Sequence, residues 1–320
     1  SAGIPAIQLV SGPMMTGSYH GERLGACTDC RRFWSQYRAG DKSKSEIDLI
    51  ESRLATTSGT CPVMGTASTM ACISETMGFT IPGTSAIPAV HADRLRASEA
   101  TGVQAVKLAD HGLTPDKLLT HESIENALRV LLAIGGSTNA VIHLTAIAGR
   151  VGKEVSLQTL NRLSDSTPLL VNLKPSGEHY MEHFFAAGGM GAVLRELKPL
   201  LHLNCLNIGG QTLEERLKSE DTYVDHQVIR PLNDPVEKHG GLIALFGSLA
   251  PQGSILKRSA ADSSLFERKG RAIVFNSLED LSNRIDDSNL DVNQNDFLVL
   301  QNAGPRSGTG MPESGYLPIP

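Results

Sequence analysis

A change of pattern near residue 225 constrains the fold more than any other feature of this chain. Before it, apolar residues recur at helical spacing, so that Ile124 and Leu131, for example, share one face. After it, short apolar runs alternate with Pro and Gly turns, which is typical of strands. We therefore predict an α/β chain, with a helix-rich α/β domain over residues 1–225 and an incomplete, β-rich, barrel-like domain over residues 226–320.

Local patterns place the individual elements. Helices are predicted at 43–57, 67–77, 91–101, 121–133, 140–149, 159–163, 180–186, 191–197 and 278–286. Strands are predicted at 4–10, 169–173, 228–229, 242–245, 254–257, 272–275 and 297–300. Thr114, which precedes Pro115, and Thr120 are predicted N-caps.

Composition excludes several classes of function. Aromatic residues make up 4% of the chain and the formal net charge is −5, with no basic patch, so we expect no nucleic-acid partner. No apolar run reaches membrane-spanning length and the first ten residues lack a signal-peptide pattern, so no membrane partner is expected. The odd count of five cysteines favours a reducing compartment, which we take as the cytoplasm or an organelle such as the mitochondrion.

The stretch from Ser58 to Ala71 places one thiol, Cys61, on a glycine-flanked turn before small residues that can open a helix. A helix amino end carries unpaired N–H groups and partial positive charge, so a thiolate there is stabilised. Cys61 is therefore a candidate to bind a metal or to react. Because a lone cysteine is more often a small buried apolar residue, the residues alone leave both interpretations open.

Cys27 and Cys30 form a C-x-x-C, but no second pair accompanies them as it would in a structural zinc site. A redox role is the alternative, since the residues after Cys30 can open a helix. We favour two ordinary thiols in a loop insertion.

The turn Gly135–Asn139 lies between two predicted helices and offers backbone N–H groups and two hydroxyls, those of Ser137 and Thr138, to an anion. No lysine follows the glycines, so this is not a Walker loop. The alternative is a helix–helix turn in which Ser137 or Thr138 is the cap, and the residues do not decide between the two.

The turn-rich segment 304–313 ends in Glu313, whose carboxylate is a ligand type that magnesium prefers. A solvated loop glutamate is the commoner outcome for such a residue. The histidines lack the spacing of a zinc site, and the absence of G-x-S-x-G leaves a hydrolase elbow unsupported.

Several motifs together carry a family resemblance that covers nearly the whole chain. They are, in order, Ile4–Ile7 with Ser11–Met14, the Cys61 turn, Ala86–Ala89, Ala133–Ala140, Pro175–Gly177, Asn207–Thr212, Ile229–Leu232, Leu249–Pro251 and Gly304–Glu313. In this set the chain resembles the iron–sulfur dehydratases of dihydroxy acids and sugar acids, the IlvD/Edd family. Its form Cys-x-x-Met-Gly-Thr-Ala-Ser-Thr is more similar to the aldonate branch, the arabinonate and xylonate dehydratases.

The resemblance implies a hydro-lyase that converts a 2,3-dihydroxy acid, such as an aldonic sugar acid, into a 2-keto-3-deoxy acid. It implies an iron–sulfur cluster as Lewis acid, for which we expect the two-iron type rather than the four-iron type, and magnesium. Cys61 matches one cluster cysteine and Glu313 matches the magnesium-binding glutamate, while we assign Ser137 and Thr138 to substrate binding. A homodimer or homotetramer is also implied.

The family's other cluster cysteines, one of them in a Cys-Asp-Lys motif, and its base serine in an Arg-Met-Ser-Gly motif do not occur here. We expect them upstream of residue 1 and downstream of residue 320, so this chain should be the middle of a longer enzyme, inactive alone and without a catalytic base. The alternatives are a dihydroxy-acid dehydratase of branched-chain amino-acid biosynthesis and a non-catalytic relative that binds small anions.

Overall fold

A computed structural model describes residues 3–303, with the backbone alone at residues 26, 27 and 111. These residues divide into two compact units, of which unit 1 takes residues 3–29 and 51–260 and unit 2 takes residues 30–50 and 261–303. Helix and strand are mixed, which confirms the α/β expectation. The barrel-like closure and the domain limits of 1–225 and 226–320 stay predictions.

The first two helices of the chain are α1 (Ala26–Arg38), most of which belongs to unit 2, and α2 (Lys44–Glu51), which belongs to unit 2 except for its last residue. Helices dominate unit 1, and they are α3 (Thr66–Thr76), α4 (Ala92–His111), α5 (Pro115–Leu118), α6 (His121–Ala133), α7 (Asn139–Gly149), α8 (Leu157–Ser166), α9 (Met181–Ala186), α10 (Gly189–Glu196) and α11 (Leu213–Ser219). No helix among the described residues has both the length and the apolar character needed to cross a bilayer.

The strands are short and paired. In unit 1, β1 (Gly17–Tyr19) runs antiparallel to β2 (Glu22–Leu24), and β3 (Ile243–Leu245) runs antiparallel to β4 (Ser254–Leu256). In unit 2, β5 (Ala272–Phe275) pairs in parallel with β6 (Phe297–Leu300), and α12 (Leu278–Arg284) lies on the connection between them. Such a crossover is the usual way to join parallel strands.

Helix α3 lies at the centre of unit 1, where it contacts α6, α7 and α10. Its small side chains allow this, since Ala71 and Cys72 are buried together with most of the helix. Near the end of α3 the carboxylate of Glu75 is buried and accepts hydrogen bonds from the backbone of Gly83, at 2.8 Å, and of Ser85, at 2.9 Å. Arg216 of α11 pairs with the same carboxylate, so α3 is tied to the loop that follows it and to a helix 141 residues away.

Most predicted helices are confirmed, and caps explain their limits. Thr120 caps α6 through a reciprocal box with Ser123. Thr114 occupies the N-cap position of α5 but makes no capping hydrogen bond with the backbone. Helix α4 runs ten residues beyond the predicted end and stops at Gly112, whose left-handed φ of 63° suits glycine.

Four local predictions are wrong. The predicted strands at 169–173 and 228–229 form only isolated bridges, one of which pairs Val171 with Ile229. The structure assigns no strand to residues 4–10, because the backbone there bonds to loop and side-chain groups, as where Gln8 donates to the Phe79 carbonyl and Arg94 donates to Val10. The C-x-x-C segment lies in α1 and not in a loop insertion. Within α1, Asp29 is buried and accepts a hydrogen bond from the Gly25 N–H at 2.7 Å, an interaction that residue spacing does not reveal.

Candidate functional site

The loop that carries Cys61 is anchored on both sides of the thiol. Before it, the Thr60 N–H donates to the Gly12 carbonyl at 2.9 Å and the Thr60 carbonyl accepts from Met14 at 2.8 Å. After it, the Pro62 carbonyl accepts from Met181 at 2.8 Å. Cys61 itself is half-buried. The chain is therefore fixed immediately before and after a cysteine that retains access to solvent.

Gly59 allows the cysteine loop to pack closely against the backbone at Met14. Its φ is 133°, a region that side chains rarely adopt, and a Cβ there would lie 2.4 Å from the Met14 nitrogen. Helix α3 begins five residues after the thiol, and its N-cap, Gly65, provides no side-chain cap. The unpaired N–H groups in the first turn of α3 therefore keep their partial positive charge, which is the charge expected to stabilise a thiolate.

The structure brings the Gly135–Asn139 turn against this first turn of α3. The Ser137 hydroxyl lies 2.9 Å from the Thr66 hydroxyl, and the Asn139 amide donates to Thr66 Oγ1 at 3.1 Å. The Ser137 N–H donates to Thr69 Oγ1 at 3.0 Å. Two motifs that lie about 70 residues apart in sequence thus form one hydrogen-bonded surface.

These contacts use part of the hydrogen-bonding capacity that the turn would offer to an anion. Ser137 Oγ already accepts from the Asn139 N–H at 3.2 Å, which is the role of a local cap. Thr138 occupies the N-cap position of α7, where its half-buried side chain makes no capping hydrogen bond. Ser137 is therefore a structural element of the turn, and substrate binding by Ser137 and Thr138 stays a prediction.

Lys257, which follows β4, braces the same turn and was not predicted from the sequence. Its Nζ donates to the carbonyls of Gly135, at 2.9 Å, and Gly136, at 3.2 Å. Burial lowers the pKa of Lys257 to about 8. These carbonyls follow the C-terminus of α6, where the helix dipole favours a cation.

The lowered pKa makes the stability contribution of Lys257 depend on pH. Between about pH 8 and pH 10 the unfolded chain holds this proton more tightly than the folded chain, so folding becomes more favourable as the pH rises. From pH 7 to pH 9 we expect the free energy of unfolding to rise by about 1.4 kcal/mol more in the parent chain than in Lys257→Met. Urea unfolding of both proteins at the two pH values measures this difference, and parallel curves would contradict it.

A second polar cluster, formed by Asp29, Lys174 and Tyr180, also contacts the cysteine loop. Asp29 accepts from the Tyr180 hydroxyl at 2.8 Å and from Lys174 Nζ at 3.2 Å, and Lys174 also donates to the Tyr180 oxygen at 2.8 Å. The Lys174 carbonyl accepts from Met64, which lies in the loop. No local pattern indicates this cluster, because Asp29 and Lys174 lie 145 residues apart.

The charges of this cluster support one another. Burial opposes ionisation of Asp29, but hydrogen bonds from Gly25, Tyr180 and Lys174 outweigh it and hold the pKa of this carboxyl below its usual range. Burial also opposes the charge of Lys174, yet Tyr180 and Asp29 hold its pKa above the usual value. Burial raises the pKa of the Tyr180 phenol. An ionised carboxylate, an ammonium and a neutral phenol therefore coexist beside the loop.

A cavity of about 360 Å³ opens beside the anchored loop. The segment 8–13, Thr60 and one face of α3 line it, including Ala67 and Ser68. Ser68 is 3% exposed and its hydroxyl has no hydrogen-bond partner among the described residues. The cavity thus presents polar and apolar walls next to the residue that precedes Cys61.

We tested whether the described residues could hold an iron–sulfur cluster or magnesium. Burial raises the pKa of Cys72 and raises that of Cys205 to about 11, which disfavours both as thiolates. The side chains that the structure describes, which leave out Cys27 and His111, contain no group of three or more His, Cys, Asp or Glu arranged to bind a metal. Cys30 and Cys61 are the half-buried cysteines among the described side chains, and these side chains do not fit a complete cluster. Glu313, the predicted magnesium ligand, lies outside the described residues.

Two family domains match the sequence of this chain. Residues 1–216 match the family domain described as dihydroxy-acid/6-phosphogluconate dehydratase N-terminal, and residues 227–320 match the corresponding C-terminal domain. The chain is 41% identical over 322 residues to an L-arabinonate dehydratase of Rhizobium leguminosarum bv. trifolii. It is 40% identical over 323 residues to a 6-deoxy-6-sulfo-D-gluconate dehydratase of Pseudomonas putida.

A third relative is a dihydroxy-acid dehydratase of Caldicellulosiruptor bescii, 38% identical over 312 residues and 97% of this chain. The two sugar-acid relatives match the chain over its whole length. In each case the chain spans little more than half of the relative, 55% of the arabinonate enzyme and 56% of the other two. The two domain matches together cover almost all of the sequence, and the chain therefore belongs to the dihydroxy-acid/6-phosphogluconate dehydratase family.

Proposed function

We propose that this chain forms part of a hydro-lyase that dehydrates a 2,3-dihydroxy acid of the aldonic sugar-acid class to a 2-keto-3-deoxy acid. Family membership over both matched domains carries the proposal. The names of relatives at 38–41% identity support it, since all three are dehydratases of sugar acids or dihydroxy acids. The sugar-acid branch is favoured by the Cys61-x-x-Met64 pattern followed by Gly65 and Thr66.

In this proposal Cys61 supplies one thiolate to an iron–sulfur cluster, whose other ligands come from outside the described residues. The support is local, since the loop is fixed by hydrogen bonds on both sides of a half-buried cysteine and leads into an uncapped helix. Such a fixed loop would hold a ligand without ordering cost on binding. Glu313 is proposed to bind magnesium, and Ser137 and Thr138 to contact the substrate.

The polar groups around the loop have separate proposed tasks. The Asp29–Lys174–Tyr180 cluster holds the cysteine loop through the Lys174 carbonyl, which accepts from the Met64 N–H, and its carboxylate balances its ammonium. Lys257 fixes the backbone of the Gly135–Asn139 turn. Positive charge and hydrogen-bond donors next to a site of this kind favour an anionic substrate such as a carboxylate.

The test is a dehydration screen of the full product of the gene and, separately, of residues 1–320. Substrates are several aldonates and 2,3-dihydroxy-isovalerate, and the readout is 2-keto acid formation. We expect turnover of at least one aldonate by the full product and none by residues 1–320 alone. If only dihydroxy-isovalerate is turned over, the substrate is a dihydroxy acid and not an aldonate. If a protein that contains iron and sulfide forms no 2-keto acid from any of these substrates, the proposal is refuted.

A further inference from the structure

The segment from Ile4 to Val10 is poorly buried for its composition. All of its residues except Gln8 carry apolar side chains, yet Ile4 is 64% exposed and Leu9 44%. Such a sequence is typical of a strand, but in the part of the chain that the structure describes no strand pairs with it. Unpaired backbone beside exposed apolar side chains is a template on which another strand can form.

Hydrogen bonds occupy one edge of this segment and leave the other edge open. The Gln8 N–H and the Val10 carbonyl each have a partner, at 2.8 Å. In an extended chain the backbone groups of residues two apart point to the same edge, so these two bonds lie together. The backbone groups of Ile7 and Leu9 then point to the opposite edge, where none of them has a partner among the described residues.

Helices cover both faces of the segment. The side-chain oxygen of Gln8 accepts a hydrogen bond from the Ser74 hydroxyl of α3 at 2.6 Å. The preceding side chain, Ile7, packs against the apolar cluster that contains Leu108 of α4 and Leu118 of α5. Because successive side chains of an extended chain point to opposite faces, α3 lies on one face and this cluster on the other. Helices on both faces are the usual surroundings of a parallel strand in an α/β protein.

Free space lies alongside this backbone. The cavity of about 360 Å³ is lined by every residue from Gln8 to Pro13 and, on α3, by Ala67, Met70 and Ala71 among others. No charged residue lines it. A strand placed there would therefore meet apolar and uncharged polar walls, which suit a backbone better than an ion.

A strand from the same polypeptide is the occupant that the observations favour. The chain spans only 55–56% of three of its relatives, so a large part of each relative lies outside the matched region. A strand within the same polypeptide pairs at a high effective concentration. Because elements adjacent in sequence are usually adjacent in space, the sequence that precedes Ser1 in the full product of the gene is the nearest source.

We propose that residues 4–10 form a β-strand in the full product of the gene, by pairing along the open edge with a strand from the sequence that precedes Ser1. The N–H and C=O groups of Ile7 and Leu9 then bond to the added strand, while the helices that already cover both faces enclose the pair. The proposal rests on backbone hydrogen bonds and not on the proposed enzymatic function, and it is tested without substrate.

Hydrogen–deuterium exchange compares the full product of the gene with residues 1–320. We expect the amides of Ile7 and Leu9 to exchange more than about 100-fold more slowly in the full product, because a paired amide exchanges only when the strand opens. The Gln8 amide is the internal control, since it already donates to Phe79 and should be protected in both proteins. Fragmentation mass spectrometry resolves single residues. Equal rates for Ile7 and Leu9 in the two proteins would overturn the proposal.

A pair of proline variants tests which edge is used. Leu9→Pro removes an N–H from the open edge and should speed exchange at Ile7 by more than about tenfold in the full product. Ala6→Pro is the matched control, because Ala6 lies on the same edge as Gln8 and its N–H has no partner among the described residues. It should change the rate at Ile7 by less than about twofold, after correction for intrinsic rates. Equal effects of the two prolines would contradict pairing along the open edge.

Two further results would assign the strand to another source and overturn the proposal. A protein that starts at Ser1 and keeps the native C-terminus should leave Ile7 and Leu9 unprotected, and protection retained there would place the strand downstream of residue 320. Protection in residues 1–320 that increases with protein concentration would indicate pairing with a second copy. Circular dichroism checks that each protein is folded.

Discussion

In the full product of the gene, Cys61→Ser is expected to lower the iron and sulfide content and to reduce 2-keto acid formation by more than about 100-fold. Replacing a residue that only supports a metal ligand commonly costs 10–100-fold, so the loss of a ligand itself should cost at least as much. The fold should survive, because the loop is anchored by backbone hydrogen bonds of Thr60 and Pro62 that do not involve the thiol. Iron and sulfide are quantified after anaerobic purification, in parallel with the activity.

Cys30→Ser is the matched control for this prediction, since Cys30 is half-buried, as Cys61 is, but lies in α1. It should retain the iron, the sulfide and the activity. Unchanged iron and sulfide in Cys61→Ser would remove this residue from the ligand set, whatever happens to the activity. Loss of both in the Cys30 variant would show that α1 contributes to the cluster site.

Arg216→Leu is expected to lower the free energy of unfolding by about 3–5 kcal/mol, because it removes the salt-bridge partner of the buried Glu75 carboxylate. The Arg216 side chain is 4% exposed and bonds to both Glu75 and Glu220. Burial alone would lower the pKa of this guanidinium, but the two carboxylates raise it above its usual value. Urea unfolding of the purified variant measures the loss.

Two further variants distinguish the effect of the unpaired Glu75 carboxylate from the effect of losing the Arg216 side chain. Lys218→Met removes an exposed ion pair with Glu214 on the same helix and should change the midpoint little. Glu75→Gln combined with Arg216→Leu should be more stable than Arg216→Leu alone, because the unpaired carboxylate is gone. If the double variant is as unstable as the sum of the two single variants, the buried charge is not the cause.

The helices of unit 1 were predictable because their signals are local. Periodicity around Ile124 and the cap at Thr120 both lie within or next to α6. Helix α1 was not predicted, and the partners of its buried Asp29, Lys174 and Tyr180, lie about 150 residues away, where no local pattern reveals them. The predicted strand at 4–10 failed because apolar residues make a strand only where a neighbouring strand pairs with them.

In the candidate site, too, local features were predictable from the sequence and long-range contacts were not. Residue types and turn chemistry singled out Cys61 and the Ser137 turn, because glycines and small residues mark both segments. That the two segments meet through Thr66 depends on how α3 packs against α6 and α7, which the sequence does not show. Lys257 reaches the turn across 122 residues, and a lysine at the end of a short strand carries no signal of such a role.

The buried carboxylate of Glu75 has a consequence for motion within unit 1. The Glu75 side chain on α3 accepts hydrogen bonds from the backbone of Gly83 and Ser85 and pairs with Arg216 of α11. If one of these segments unfolded alone, the buried carboxylate would lose a partner, so we expect them to unfold as one cooperative unit. Amide hydrogens of Gly83 and Ser85 should therefore exchange with deuterium as slowly as those in the middle of α3, although they lie in a loop.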